Sequence, residues 1–265
     1  MGETHVPTVD RGPDGRTPAE GSLGRVTLVG GGPGDPALMT VAAVDALREA
    51  DVVLYDRLAP HDELARLAPH AELVDVGKRP GHHTLTQDRI EALLVEHARA
   101  GRHVVRLKGG DPYVFGRGGE EAATCRAAGV PVRVVPGITS AVAAPAAAGI
   151  PVTFREVSRM FTVVSGHAPL SADELAHLAG LGRAGGTIVV LMGVLNLGQI
   201  TQGLMAHGLP ADTRVGIVER GCTPQQRTTL ATLGTVLDVA AAAQVGSPAV
   251  IVVGAVVALA DDGAR

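Results

Sequence analysis

The chain has 265 residues, 46% hydrophobic and 19% charged, with a net charge of −4, the balance of a soluble protein with apolar mass for one large or two modest domains. It has no Trp, two Tyr and three Phe, too few for a stacking platform, and with its acidity this argues against a nucleic-acid partner. No run approaches the roughly 18 apolar residues of a membrane span, no apolar signal core opens the chain, and Cys125 and Cys222 make neither a zinc knuckle nor a disulfide framework, all consistent with a reducing cytoplasm.

Residues 1–22 are rich in Gly, Pro, Asp, Glu and Arg without periodicity, and they read as a disordered extension. A first β-branched run at 26–29 leads into Gly30-Gly31-Gly32-Pro33-Gly34-Asp35-Pro36. A glycine-rich turn at a strand's carboxyl end lets main chain approach a ligand closely. The loop is no phosphate cradle, however. The G-x-G-x-x-G pattern fails at Asp35, no G-K-[ST] follows, and Pro33 and Pro36 remove two N–H donors. It suits a neutral or cationic ligand.

Further β runs fall at 52–55, 73–76, 103–107 and 132–135. Thr86 predicts an N-cap for a helix that reaches residue 100. Ile90, Leu93, Leu94 and Ala98 share one face of it, and Gly101 follows as the C′ residue. The fourth run opens onto Gly109-Gly110-Asp111-Pro112, a second glycine loop ending in Asp-Pro, and a helix is predicted from 118 to Gly129. An Ala-rich helical segment at 140–148, interrupted by Pro145, marks the junction of two lobes, 23–138 and 139–260. In the second lobe, β runs at 161–164, 187–191, 215–218, 227–230 and 249–253 alternate with helices at 172–179, 195–207 and 233–243. Arg227 follows Pro224 closely, which suggests a hairpin. The expected fold is α/β, with a mostly parallel five-stranded sheet in the first lobe and a mixed sheet in the second. No internal repeat is visible.

Ligands in open α/β sheets bind beyond the carboxyl ends of the strands. Those positions here hold Asp56, Arg57, Gly77, Lys78, Arg79, Arg106, Lys108, Asp111, Arg117, Thr139 and Ser140, with Arg155 further on. The basic members form a rim suited to a small polyanion, because Arg forks pair with carboxylates. Asp56 has structural readings too: it could pair with Arg57, cap a helix, or stand as a ribose-binding acid. The adjacent His82 and His83 lack a third ligand at suitable spacing, so no metal site is expected.

In their order, these segments resemble the uroporphyrinogen-III C-methyltransferases, a group of tetrapyrrole methylases that use S-adenosyl-L-methionine (class III methyltransferases). The residues that carry the resemblance are Gly30 to Pro36, Asp51-Val52-Val53-Leu54-Tyr55-Asp56-Arg57-Leu58, Val76-Gly77-Lys78-Arg79, Arg106 to Pro112, Phe115-Gly116-Arg117-Gly118-Gly119-Glu120-Glu121, Val135 to Ser140, and Gly149-Ile150-Pro151-Val152-Thr153. The resemblance implies two domains, a ligand cleft between them, and a homodimer. It places the donor against Pro33, Gly109, Gly110, Asp111, Val114, Thr139, Ser140, Met192 and Gly221, makes Asp56 the proton acceptor and Lys78 the proton donor, and turns Arg106, Arg117 and Arg155 toward substrate carboxylates. It implies methylation of uroporphyrinogen III at C-2 and C-7 through precorrin-1 to precorrin-2, with S-adenosyl-L-homocysteine released. Three positions depart from the pattern: the first loop has an extra glycine where Ala is common, Phe154 stands where His is expected, and Cys222 follows Gly221. No dehydrogenase–chelatase module precedes and no uroporphyrinogen synthase follows, so a single-function enzyme is expected. A later cobalamin-pathway methylase, an RNA or protein methylase, and an adenosyl-sensing module without activity are the alternatives.

Overall fold

The computed structural model describes residues 23–77 and 85–260. The predicted extension at 1–22 and the segment carrying Lys78, Arg79, His82 and His83 lie outside the described residues.

The first lobe runs β1 (Arg25–Gly30), α1 (Val41–Arg48), β2 (Val52–Tyr55), α2 (Leu64–Leu67), β3 (Glu72–Asp75), α3 (Gln87–Arg99), β4 (His103–Lys108), α4 (Gly118–Ala127) and β5 (Val132–Val135). Its strands are dense in Val and Leu, residues that fit a pleated surface buried on both sides. They form one parallel sheet in the order β3-β2-β4-β1-β5. The register sets Gly30 beside Lys108, Tyr55 beside Leu107 and Val29 beside Val135. The loops leaving β1, β2, β4 and β5 therefore emerge together at one edge.

Strand alternation divides the core. Val29, Val53, Val105 and Leu107 face α1 and α2, while Leu28, Leu54 and Val104 face α3 and α4. The predicted cap holds: the Thr86 hydroxyl accepts a hydrogen bond from Arg89 N at 3.3 Å. β3 begins and ends one residue earlier than expected, because the Asp75 carboxylate takes the Gly77 N–H at 2.9 Å and turns the chain out of the sheet.

The second lobe runs α5 (Ser140–Ala147), β6 (Phe161–Ser165), α6 (Ala172–Arg183), β7 (Thr187–Leu191), α7 (Leu197–Ala206), β8 (Arg214–Glu219), β9 (Arg227–Thr232), α8 (Val236–Ala242) and β10 (Ala249–Val253). Its sheet is mixed, in the order β6-β7-β10-β8-β9, with β6 and β7 parallel and the other pairs antiparallel. The hairpin foreseen near Pro224 joins β8 to β9. α5 continues through Pro145 rather than breaking there. It packs Ala141 and Ala144 against Val189, Leu191 and Val252 of the second sheet. α8 starts at Val236 rather than at 233, because Leu233 N and Gly234 N bond back to Thr213 O and Ala211 O.

Below the opposite edge of the first sheet, His103 is buried between strands. Its Nδ1 lies 2.9 Å from Glu49 O and its Nε2 2.9 Å from the Thr27 hydroxyl. Arg25 Nη2 also stands 3.1 Å from Nδ1, and burial together with the Arg25 charge assigns the ring as the neutral imidazole. Burial pushes the His103 pKa down, and the Glu49 carbonyl opposes the shift. A depressed pKa means that the unfolded chain binds the proton more readily, so this contribution to stability is present above the ordinary histidine value and fades as pH falls below it. Wild type should melt higher than His103→Gln at pH 7.5, and the gap should narrow by pH 5.5. Thermal melts of both proteins across that range provide the check, and a gap that is constant or widens toward acid would contradict the assignment.

Candidate functional site

The two glycine loops are bound to each other. Gly110 N donates to Gly32 O at 2.6 Å, Gly32 N donates to Gly110 O at 3.2 Å, and Gly31 N donates to Lys108 O at 2.7 Å. The loop after β5 closes on the same point. A Cβ placed on Gly137 would stand 2.2 Å from Gly110 O, and one on Gly30 would stand 2.4 Å from Gly137 N. Three segments of main chain thus meet where no side chain fits. Gly110 itself is left-handed, at φ +67°, and a Cβ there would meet only Thr139 Cα and Ser140 N, each at 3.8 Å. The amino end of α5, capped by the Thr139 hydroxyl accepting from Ala141 N, therefore faces the Gly110 main chain across a gap that a single methyl group would fill.

The other residues assigned to the donor by resemblance lie around this junction. A Cβ on Gly34, next to Pro33, would meet Thr223 at 2.8 Å and Gly221 O at 3.8 Å. Gly221 is pressed on Ala144 of α5. Val114 packs against the second-lobe core of Ala144, Leu191 and Val218, tying the loop after β4 to the second lobe. Met192 follows β7 at φ +57° and is half exposed. Asp111 differs from expectation. Its Oδ1 accepts from Tyr113 N at 2.8 Å and its Oδ2 from Gly137 N at 3.0 Å, so the carboxylate fastens the β4 loop to the β5 loop.

Beside the junction opens a cleft of about 1000 Å³. Asp56, Gly77, Gln87, Arg106, Pro112 and Arg117 line it from the first lobe, and Ser165, His167 and Met192 from the second. The loop 109–112 borders both regions, since Gly110 belongs to the junction and Pro112 to the cleft wall. Arg117 is left-handed at φ +59°, exposed, and paired with Glu120 at 3.1 Å.

Asp56 is paired with Arg106, not with Arg57. Its Oδ1 accepts from Leu58 N at 3.1 Å and Ala59 N at 3.2 Å, and its Oδ2 faces Arg106 Nη2 at 3.4 Å. The expected basic rim is corrected at three positions. Arg106 and Lys108 are buried, 3% and 4% exposed. They sit on the same face of β4 as Val104, so both point under α4, where Glu121 takes Arg106 Nε at 3.1 Å and Lys108 Nζ at 3.0 Å. Arg106 reaches the cleft wall from beneath. Burial, then the adjacent Arg106 charge, push the Lys108 pKa down, and Glu121 opposes them. Arg155 is exposed and is not part of the cleft lining.

Sequence reasoning missed Gln87, Ser165 and His167. Gln87 was legible only as the first residue of a helix, and Ser165 and His167 only as the end of a second-lobe strand. Cys125 is buried, its thiol pushed up to about 11 by burial, and the Cys222 thiol is also raised, by burial and then by Asp35. Among the described residues no cluster of His, Cys, Asp and Glu could hold a metal ion, and no helix is long and apolar enough to cross a membrane.

Residues 25–237 match the family model described as Tetrapyrrole (Corrin/Porphyrin) Methylases. The chain is 48% identical over 242 residues to the S-adenosyl-L-methionine-dependent uroporphyrinogen III methyltransferase of Methanosarcina barkeri, covering 91% of this chain and 95% of that one. It is 46% identical over 235 residues to the uroporphyrinogen-III C-methyltransferase of Priestia megaterium, covering 89% and 99%. The crystal structure of uroporphyrin-III C-methyl transferase from Thermus thermophilus complexed with S-adenyl homocysteine superposes with a TM-score of 0.75 at 44% identity, covering 89% of this chain and all of that one.

The glycine junction makes a prediction of stability. Gly137→Ala should destabilise the fold by about 2 kcal/mol or more, because the new methyl meets rigid main chain on two sides. Gly119→Ala, with nothing within 4 Å of its Cβ, should stay within about 0.5 kcal/mol of wild type. Denaturant melts of the two variants decide it, and equal midpoints would refute the junction as a tight packing point.

Proposed function

The chain belongs to the tetrapyrrole methylases, and on that premise we propose that it methylates uroporphyrinogen III from S-adenosyl-L-methionine at C-2 and C-7, giving precorrin-2 by way of precorrin-1. The observation that supports this most is the placement of Asp56 in a two-lobed cleft directly beside a junction of bare main chain. The junction suits a sulfonium donor: it is rich in main-chain carbonyls and amides, and Asp111 is held by backbone N–H groups. Donor contacts are assigned to Pro33, Gly109, Gly110, Asp111, Val114, Thr139, Ser140, Met192 and Gly221. We place the boundary between the lobes at 138/139, which makes α5 the first element of the second.

The donor supplies an electrophilic methyl group on sulfur, so the protein need not provide a nucleophile. Its task is alignment and exclusion of water. As the ring carbon takes the methyl group, the carbon–sulfur bond breaks and the pyrrole ring gains positive charge. Asp56 then accepts the proton lost from the ring, through Oδ2, the oxygen not committed to backbone N–H groups. Arg117 stands on the cleft wall to pair with substrate carboxylates. The resemblance gives Lys78 the role of proton donor. A homodimer working in the cytoplasm, feeding siroheme or cobalamin synthesis, completes the proposal.

Incubation with S-adenosyl-L-methionine and uroporphyrinogen III, followed by mass spectrometry, should show a product heavier by two CH2 units, a methyl group gained and a proton lost at each transfer, with two equivalents of S-adenosyl-L-homocysteine. An unmodified macrocycle would refute the substrate. Asp56→Asn should lower kcat by about 100-fold or more, the scale of a positioned general base. Near-normal turnover with saturating donor would remove Asp56 from that role.

A further inference from the structure

Glu121 of α4 is wholly buried and does not line the cleft. One of its oxygens, Oε1, receives Arg106 Nε, Lys108 Nζ and Gln87 Nε2 at 3.1, 3.0 and 3.3 Å. The other, Oε2, is buried with no hydrogen-bond partner among the described residues. A buried carboxylate left half satisfied costs stability that an apolar residue would not. What the charge does is visible one residue away.

The Arg106 fork is fully divided. Nε goes to Glu121, Nη1 goes to Leu107 O at 3.0 Å and Leu54 O at 3.4 Å, and only Nη2 reaches Asp56 Oδ2, at 3.4 Å. An unrestrained Arg–carboxylate pair closes to about 2.8 Å and is often bidentate. A carboxylate held that tightly is a poor proton acceptor. Here the guanidinium is anchored from behind and stands off from Asp56.

We infer that Glu121 is a positioning residue: it draws Arg106 back from Asp56 and leaves Oδ2 of Asp56 open to the proton that departs from the macrocycle after methylation, the methylated carbon itself carrying none. The inference rests on the reading of Asp56 as proton acceptor. Among the described residues, the charged and polar groups that face this chain are Arg106 and Lys108 on β4, Gln87 and Glu91 on α3, Arg117 just ahead of α4, and Glu120 and Cys125 on α4. Of these, Glu91 is turned to Gln87 and Thr124, and Glu120 to Arg117. Among the described residues, Glu121 alone is the counter-charge behind Arg106.

The test is Glu121→Gln in the full chain, which keeps the side chain's shape and removes its charge. Its crystal structure should show Arg106 closed on Asp56 at about 2.8 Å. Its kcat should fall about tenfold with the KM for S-adenosyl-L-methionine unchanged, and the acidic limb of its pH–rate profile should move about one unit toward acid. Loss of the buried charge alone would move that limb, so the readouts that a merely structural glutamate would not give are the closure of Arg106 on Asp56 and the shift in the charge-balanced double variant. Glu121→Gln/Lys108→Met, which removes one charge of each sign, is measured beside it and carries the same expectation should the single variant not fold. An unmoved limb, or an Arg106–Asp56 distance unchanged in the crystal, overturns the inference. Asp56→Asn separates the two failures: if it is inactive while the limb in Glu121→Gln stays put, only the role of Glu121 falls. If it retains turnover, the reading of Asp56 falls and this inference with it.

Discussion

The constraint on which the site depends is the contact of bare main chain among Gly30, Gly110 and Gly137. Ordinarily side chains hold adjacent loops apart by several ångströms. Here the reciprocal hydrogen bonds of Gly32 with Gly110, and the absence of any Cβ at the crossing point, let the loops after β1, β4 and β5 touch. That contact brings the amino end of α5 opposite Gly110. Asp111 reinforces it from the side, one carboxylate oxygen holding its own loop and the other holding Gly137. The surface so made is rich in main-chain groups and has no side chain to clear away before a ligand arrives, which is a form of preorganisation.

Parallel strand order extends the same logic to the cleft. In a parallel sheet every carboxyl end lies at one edge, so Asp56 after β2 and Pro112 after β4 come to the wall of a single opening. Parity then sorts the side chains by layer. Leu54, Val104, Arg106 and Lys108 lie on the α3–α4 side of the sheet, so the two cations of β4 run beneath α4 instead of out to solvent. A buried glutamate must meet them there, since two cations in a dry interior need a counter-charge. The cleft's electrostatics are thus set from the core outward: Glu121 fixes Arg106, Arg106 faces Asp56, and Asp56 faces the cleft.

The two lobes contribute unequal things. The first supplies the charged groups, on or beside short loops anchored by the buried central strands β1, β2 and β4. The second supplies the opposing wall, through Ser165, His167 and Met192, and grips the first through Val114 and α5. The left-handed residues Phe115 and Arg117 of the first lobe and Met192 of the second all line the cleft. Non-glycine residues with positive φ carry backbone strain and cluster where surrounding structure fixes a functional geometry. The match to the Thermus thermophilus enzyme holding S-adenyl homocysteine extends over both lobes.

Much of this was legible in the sequence, for a physical reason. Runs of β-branched residues and Thr86 before an amphipathic stretch act within a few residues, so β2, β5, β7 and β10 fall where the runs do and α3 starts at its cap. Glycine loops followed by Asp-Pro announce close main-chain approach from composition alone. What pattern could not supply is who stands opposite whom. That Asp111 binds Gly137, that Asp56 meets Arg106 and not its neighbour Arg57, and that Arg106 and Lys108 serve Glu121 and not a solvent rim are contacts over 13 to 50 residues of chain. They arise only once the sheet order interleaves β4 between β2 and β1. Local chemistry determined the elements and the kind of ligand they suit; the burial of a parallel sheet on both faces decided which charges reach the cleft.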